Sequence, residues 1–171
     1  MLVTFTCKAQ TLVNVMDQSF TVHSAGNVFV NTNSSSRNVI EVQLPAKATG
    51  YIYRVASSKR GSGQGSSLSE LLKGSGTSQL RMEASLAQYV VSQTDGQAVD
   101  IFAFDNTDDA NSFLRKQDNN WQCCWRNLRV INICFATAKC LNPVLYFGFR
   151  NNNPATPINV HLEVVALVDN N

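Results

Sequence analysis

Apolar and polar residues alternate with a period of two in several parts of this 171-residue chain. In residues 39–44, Ile40, Val42 and Leu44 alternate with two polar residues, and residues 158–168 repeat the pattern. Successive side chains of a β-strand point to opposite faces, so the pattern predicts antiparallel strands with one face in the core. This period of two argues against a mainly helical fold.

Two further segments, residues 99–104 and 144–149, are apolar at nearly every position. Such runs are typical of strands that are covered on both faces, so we expect them in the middle of a sheet. β-rich composition predicts additional strands at residues 2–7, 19–22, 28–30, 51–55 and 128–135. No regular strand-helix-strand order connects these segments, which argues against a parallel α/β fold.

Residues 79–92 and 108–116 carry apolar residues at helical spacing, and Asn106 and Thr107 can cap the second segment. We therefore predict a mainly β fold, an antiparallel β-sandwich of jelly-roll type with two short helices that cap its ends. Residues 1–171 are expected to form a single domain. An α+β fold with a single sheet stays open, because the doubly apolar strands can pack a helix on one face and a second sheet on the other.

Composition narrows the class of protein. Apolar residues make up 44% of the chain and charged residues 15%, which excludes a disordered chain. A formal charge of +2 is too small for the positive field that nucleic acid binding needs, and no apolar window is long enough to span a membrane. Low charge and five cysteines favour an extracellular or cell-surface protein whose leader is absent from the mature chain.

The cysteines are Cys7, Cys123, Cys124, Cys134 and Cys140. Their number is odd, so at least one is free or forms an intermolecular bond. Cys134 and Cys140 are separated by five residues, which lets them face each other across a hairpin, and we predict a disulfide between them. The spacing lacks the paired C-x2-C units of a zinc site, so no metal is predicted.

The stretch from Trp121 to Asn127 is the most distinctive in the chain, with two tryptophans around a vicinal cysteine pair. Trp121 and Trp125 in an end loop can stack on sugar rings, while Gln122, Arg126 and Asn127 bind hydroxyl groups. These residues are the predicted ligand-binding site. The alternative is that the tryptophans fill the open end of the core.

Nothing in the sequence marks a catalytic site. The only histidines, His23 and His161, lie at outward strand positions, and the motifs of serine and metal hydrolases are absent. Asp105, Asp108 and Asp109 can bind calcium but lack the EF-hand spacing, and helix capping explains them. We predict no catalytic residues and no cofactor.

Residues 144–167, VLYFGFRNNNPATPINVHLEVVAL, comprise an aromatic strand, an Asn/Pro turn and a long alternating strand. This segment resembles the closing hairpin of GOLD-type and bacterial pre-peptidase C-terminal-type jelly-roll domains. The resemblance covers about the final quarter of the chain and implies a non-catalytic secreted or luminal domain that binds protein, lipid or carbohydrate. It carries over no functional residue.

The leading functional hypothesis is a secreted or cell-surface binding or accessory domain whose partner is a carbohydrate or another surface protein, with the site in its end loops. The first alternative is a structural or assembly subunit with a jelly-roll fold. The second is a hydrolase whose site is assembled across the fold.

Overall fold

The computed structural model describes residues 10–26, 35–58, 67–73 and 97–170. These residues form eight strands and two helices: β1 (Gln10–Val22), β2 (Arg37–Gln43), β3 (Ala48–Ser58), α1 (Leu68–Lys73), β4 (Val99–Phe104), α2 (Thr107–Leu114), β5 (Trp125–Val130), β6 (Asn132–Thr137), β7 (Val144–Arg150) and β8 (Ile158–Asp169). The strands predicted at residues 2–7 and 28–30 and the helix predicted at 79–92 lie outside the described residues.

The strands form two four-stranded antiparallel sheets, which confirms a mainly β fold. Sheet A has the order β1-β8-β3-β6, and sheet B has the order β2-β7-β4-β5. The pairs β1–β8, β2–β7, β3–β6 and β4–β5 are nested: the first strand pairs with the last, the second with the second-last, and so on inward. The chain therefore doubles back on itself around the connection between β4 and β5.

One cluster of buried side chains takes its members from both sheets, so the two sheets pack on each other. Tyr53 and Val164 contribute from sheet A, and Val42, Ile101 and Phe147 contribute from sheet B, each no more than 1% exposed. These residues occupy alternate positions of their strands, as the period-two pattern predicts.

α2 covers the outer face of sheet B. Phe102 and Phe104 of β4 point away from sheet A and form a cluster with Ala110 and Phe113 of the helix. The β7 residue beneath them is Gly148, where a Cβ would lie 2.7 Å from the Phe104 ring. The helix predicted at 108–116 therefore forms, but it packs on a sheet face and does not cap an end of the sandwich. Packing there removes the outward-facing aromatic rings of β4 from water.

α1 covers part of the outer face of sheet A, where Leu68 and Leu72 pack against Ile52 and Val165. The Leu68 amide donates a hydrogen bond of 2.9 Å to the Glu163 carboxylate. This helix was not predicted from the sequence. Each helix therefore covers part of the outer face of one sheet. A helix on one face and a second sheet on the other was the packing considered for the α+β alternative, but that alternative had a single sheet and the structure has two.

Glu163 also forms a salt bridge with Arg54, and both side chains are 3% exposed. Burial raises the pKa of Glu163, but the neighbouring His161 side chain, the hydrogen bond from the Leu68 amide and the charge of Arg54 outweigh it. The pKa of Glu163 is therefore below its ordinary value, and the carboxylate is ionised at neutral pH.

The single strand predicted at residues 128–135 is wrong, because this segment crosses between the sheets at Ile131. β5 belongs to sheet B and β6 to sheet A. Arg129 adopts a positive φ of 57°, and its amide donates to the Asp100 carboxylate at 2.9 Å. That contact lies at a register shift between β4 and β5, which redirects the chain.

β7 and β8 do not form the closing hairpin that the sequence suggested. β7 pairs with β2 and β4 in sheet B, whereas β8 pairs with β1 and β3 in sheet A. The Asn/Pro segment between them carries the chain from one sheet to the other. Asn151 fixes this crossing, because its side-chain amide donates to the carbonyl groups of Val22 and Thr156.

Candidate functional site

Two side chains of β5 reach across to sheet A at the side of the molecule where both sheets end. The indole Nε1 of Trp125 donates to the Tyr51 hydroxyl at 2.9 Å, and the Asn127 amide donates to the Tyr53 hydroxyl at 2.6 Å. The Trp125 ring also stacks on Tyr53, with ring centroids 4.8 Å apart and an interplanar angle of 10°. These contacts hold the edges of the two sheets at a fixed distance.

A pocket with a volume of about 610 Å³ opens beside these contacts. It is lined by residues 125–127 of sheet B, by residues 135–139 of β6 and its following loop, and by Tyr53, which is paired with Phe135 in sheet A. We call it the β5–β6 cleft. Phe135 is 53% exposed, so a large part of its ring faces solvent. The cleft thus combines aromatic surfaces with polar and charged side chains, the usual composition of a small-molecule site.

The tyrosine hydroxyls beneath the cleft stay neutral at physiological pH. Burial raises the pKa of Tyr51 to about 12, against a smaller lowering by the hydrogen bond from Trp125. Burial raises the pKa of Tyr53 further, and the neighbouring Tyr51 adds to the effect. These hydroxyls therefore position Trp125 and Asn127 by hydrogen bonding and do not exchange protons near neutral pH.

A disulfide between Cys124 and Cys140 joins the two walls of the cleft, since Cys124 precedes Trp125 and Cys140 follows Lys139. The predicted bridge between Cys134 and Cys140 is wrong. Cys134 packs outside sheet A with the α1 cluster, whereas Cys140 packs against the core between the sheets. The two side chains therefore lie on opposite faces.

Two cysteines are free among the described residues, Cys123 and Cys134. Burial raises the pKa of Cys134 to about 12, so its thiol is protonated and unreactive at neutral pH. Cys123 packs against the aromatic cluster beneath α2 and does not bond to its neighbour Cys124, which pairs with Cys140. Cys7 lies outside the described residues.

The structure separates the five predicted binding residues. Trp125, Arg126 and Asn127 line the β5–β6 cleft. Trp121 instead contacts the aromatic cluster beneath α2 edge-on. The backbone amide of Gln122 donates a hydrogen bond of 2.9 Å to the Asp109 carboxylate. Trp121 is thus part of the packing of α2 on the outer face of sheet B and does not fill the open end of the core, while Trp125 is part of the cleft.

Sequence reasoning missed Tyr53, Phe135, Thr137 and Lys139, which complete the cleft. Tyr53 comes from β3, far from Trp125 in the sequence, whereas the other three come from β6 and its following loop, directly after β5. The sequence does indicate that Phe135 lies on a strand. It does not indicate that this strand belongs to sheet A, because that assignment depends on the crossing between the sheets at Ile131.

A second polar group lies on the outer face of sheet A. The Ser19 hydroxyl is 2.8 Å from Nδ1 of His161, and Nε2 of His161 is 3.4 Å from Asp17 and 3.8 Å from Glu163. Ser19, His161 and Asp17 thus have the residue types and order of contacts of a serine–histidine–aspartate catalytic triad. However, β8 lies between β1 and β3, so its amides are committed to the sheet and offer no donors to an oxyanion.

The same group does not suit a metal ion. Asp17, His161 and Glu163 have ligand atoms within 4.8 Å of one another. Glu163, however, is already paired with the buried guanidinium of Arg54 and accepts the Leu68 amide. A cation there would face a fixed positive charge.

The acidic residues considered for calcium serve the start of α2. The Asn106 side chain caps the helix by accepting from the Asp109 amide at 2.8 Å. The two oxygens of Asp109 accept from Gln122 and from the Asn106 side chain, and Asp105 also accepts from Asn106. The carboxylates of Asp105 and Asp109 therefore already have partners within the loop.

No protein-family model matches the chain, and no curated protein matches it significantly. Neither of the described helices has the length and apolar character needed to cross a bilayer. Any functional assignment therefore depends on the chemistry of the cleft.

Proposed function

We propose that this protein is a secreted or cell-surface binding domain, without catalytic activity, that holds a saccharide in the β5–β6 cleft. The observation that carries the proposal is the composition of the cleft, in which the exposed ring of Phe135 and the indole of Trp125 flank the side chains of Asn127 and Thr137. Aromatic rings bind the apolar C–H faces of sugars, and amide and hydroxyl groups bind their hydroxyls.

The cleft is prepared for binding before a ligand arrives. Trp125 is held by its hydrogen bond to Tyr51 and by stacking on Tyr53, and the Asn127 amide is held by the Tyr53 hydroxyl. Fixed side chains lose little conformational entropy when a ligand binds, which favours affinity. The disulfide Cys124–Cys140 joins the walls of the cleft in the same way.

We further propose that the two sheets form a β-sandwich of jelly-roll type. The nested pairs β1–β8, β2–β7, β3–β6 and β4–β5 support this topology, since a jelly roll is a long hairpin rolled into two sheets. Jelly rolls occur in lectins and in capsid subunits, so the fold agrees with a binding or an assembly role and selects neither.

Secretion is part of the proposal because disulfides persist in oxidising compartments. The Cys124–Cys140 bond supports that compartment. Protein recovered from a culture medium with this bond intact agrees with the proposal, whereas a reduced cytosolic pool contradicts it.

The test of binding is a fluorescence titration with a panel of oligosaccharides. In the variant Trp121→Phe, Trp125 is the only indole and reports the cleft directly. We expect at least one saccharide to change the emission of this variant.

Phe135→Ala should abolish that binding, whereas Leu128→Ala should not. The two side chains are matched controls, because Leu128 is 50% exposed and Phe135 is 53% exposed, but only Phe135 lines the cleft. Equal binding by both variants, or no response to any saccharide, contradicts the proposal.

A second candidate function, an assembly subunit, is favoured by one observation. The exposed large apolar side chains of the described residues are Leu128, Ile131, Phe135 and Leu141, all at the β5–β6 side where both sheets have an edge strand. Clustered apolar groups beside open edges often mark contacts between protein chains. Light scattering over a range of concentrations tests this: association that is lost in Leu128→Ser with Ile131→Ser supports it, and a monomer at high concentration contradicts it.

A further inference from the structure

β6 ends one side of sheet A, and it differs from the other edge strands of the described part of the chain. Its sequence is NICFAT, without a charged residue, proline or glycine, and its pairing with β3 has no register shift. The other edge strands carry charged residues, namely Asp17 on β1, Arg37 and Glu41 on β2, and Arg126 and Arg129 on β5. Charges on an edge strand discourage pairing with another chain, so β6 lacks this protection.

The open side of β6 carries backbone groups that no described strand uses. The Ser57 amide donates to the Ile131 carbonyl at 2.9 Å, one residue before β6 begins. Residues that bond to the partner alternate along an antiparallel pair, so the amide and carbonyl groups of residues 133, 135 and 137 bond to β3. The corresponding groups of Asn132, Cys134 and Ala136 therefore point to the open side of the sheet.

Both faces of β6 suit contact with a second strand. Phe135 is paired with Tyr53 and lies on the inner face of sheet A, where its side chain is 53% exposed. Ile133 lies on the same face, and Cys134 and Ala136 pack with the α1 cluster on the opposite face. Since β6 has no charged side chain, two copies of the strand can lie side by side without repulsion between like charges.

We propose that β6 pairs with β6 of a second copy of this chain, antiparallel and about a twofold axis at Cys134. This inference goes beyond saccharide binding and rests on the second candidate function, the assembly subunit. In this register Asn132 lies opposite Ala136 of the second copy, so every open-side group of the strand is paired, in about six backbone hydrogen bonds. A register shifted by two residues would pair fewer of them. Phe135 then lies opposite Ile133 of the second copy, which buries its exposed ring.

The size of the contact sets the expected strength of the dimer. A strand of six residues is about 20 Å long, so pairing along it covers only a narrow band of surface. Stable interfaces take about 800 Å² from each partner, which is more than such a band provides. We therefore expect a reversible dimer that forms as the protein concentration rises.

The test is amide hydrogen exchange measured by NMR at concentrations where light scattering shows the monomer and where it shows the dimer. When about nine-tenths of the protein is dimeric, the amides of Asn132, Cys134 and Ala136 should exchange about tenfold more slowly than in the monomer, because their exchange then requires dissociation. The amides of residues 133, 135 and 137 bond to β3 in both states and should change little. The samples contain no saccharide, because a second copy and a bound sugar would compete for Phe135.

Two matched variants separate the edge of β6 from the apolar surface beside it. Phe135→Lys should abolish the dimer, because the new ammonium group would lie beside Ile133 of the second copy and lose its water. Leu128→Lys should still dimerise, since Leu128 has a similar exposure of 50% but lies on β5. Circular dichroism checks that both variants fold, and the exchange pattern of the wild type decides the question if either does not.

The outcomes separate this inference from the proposed functions. A monomer at every concentration overturns the inference and the assembly candidate, and it leaves saccharide binding untouched. A dimer whose protected amides do not alternate along β6, or lie on another edge strand, overturns the inference alone. A dimer that Phe135→Lys and Leu128→Lys weaken equally also overturns it, because the apolar surface and not the strand edge then makes the contact.

Discussion

Asp100 offers the sharpest test of how the cleft is held in place. Its side chain is 5% exposed and accepts hydrogen bonds from the Arg129 amide at 2.9 Å, from Arg150 at 2.8 and 3.1 Å and from the Asn152 amide at 2.6 Å. Arg129 is the residue with positive φ at which β5 turns toward the other sheet. The carboxylate therefore fixes the strand that carries Trp125.

Asp100→Asn keeps the shape of the side chain but removes its charge and places an NH₂ group among donors. Hydrogen bonds to a buried charged group contribute about 1.5–3 kcal/mol each, but Arg150 is 28% exposed and regains water when its partner is lost. We therefore expect Asp100→Asn to lower the free energy of unfolding by about 3 kcal/mol, roughly the cost of two such bonds. Urea unfolding at neutral pH, followed by tryptophan fluorescence and circular dichroism, measures it.

The control is Asp118→Asn. Asp118 also pairs with an arginine, Arg37, but its side chain is 56% exposed. Arg37 is buried, but it keeps its hydrogen bond to the Phe113 carbonyl, and solvent screens the exposed carboxylate of Asp118, so the control should be destabilised less than Asp100→Asn. Equal losses in the two variants would refute the reasoning from burial.

The effect of pH provides a second check. Burial raises the pKa of Asp100, but the hydrogen bonds from Arg129, Arg150 and Asn152 and the charge of Arg150 outweigh it, so the pKa is below its ordinary value. A lowered pKa contributes stability above the unfolded-state value of about 3.9 and loses it as the pH falls through the folded-state value. The difference between wild type and Asp100→Asn should therefore disappear in acid, and a difference that is constant with pH would contradict this origin.

Three further predictions test other parts of the structure. Gly148→Ala should cost about 1–3 kcal/mol in thermal unfolding, because its Cβ would lie 2.7 Å from the Phe104 ring, and an unchanged melting temperature would contradict that packing. Cys124→Ser with Cys140→Ser should lower the free energy of unfolding by about 3 kcal/mol, and peptide mapping without reduction should recover these two cysteines together and not a pair of Cys134 with Cys140. Glu163→Leu should cost about 3–5 kcal/mol in urea unfolding because it removes one partner of a buried ion pair, and a loss below about 1 kcal/mol would show that the pair is not buried in solution.

Period-two alternation located β2 and β8, and runs that are apolar at nearly every position located β4 and β7, the middle of sheet B. Residues 99–104 and 144–149 are apolar on both faces, and the structure places β4 and β7 in that position with sheet A on one face and α2 on the other. This prediction succeeded because a strand that is buried on both faces is apolar at nearly every position, a pattern visible within the strand itself. The strand pairing leaves no such pattern, which is why β7 and β8 were expected to form a hairpin.

The candidate site was found only in part for the same reason. Trp121 and Trp125 are four residues apart and look equivalent in the sequence, but β5 begins at Trp125, so only that indole points between the sheets. Of the remaining cleft residues, Tyr53 lies on the distant strand β3, whereas residues 135–139 follow β5 closely but belong to the other side of the cleft because the chain crosses between the sheets at Ile131. The cysteine pairing failed likewise, because the spacing of Cys134 and Cys140 does not reveal on which face of the sheet each side chain lies.

The nested strand pairs have a consequence for how the protein reaches its native state. β8 is the last described strand, and it separates β1 from β3 in sheet A, so that sheet stays incomplete until residues 158–169 have been synthesised. The closure entropy of a loop grows with its length, which favours early formation of β4–β5 and late docking of β1 against β8. Nascent chains stalled before residue 158 should expose the unpaired borders of β1 and β3 and depend on chaperones until synthesis resumes.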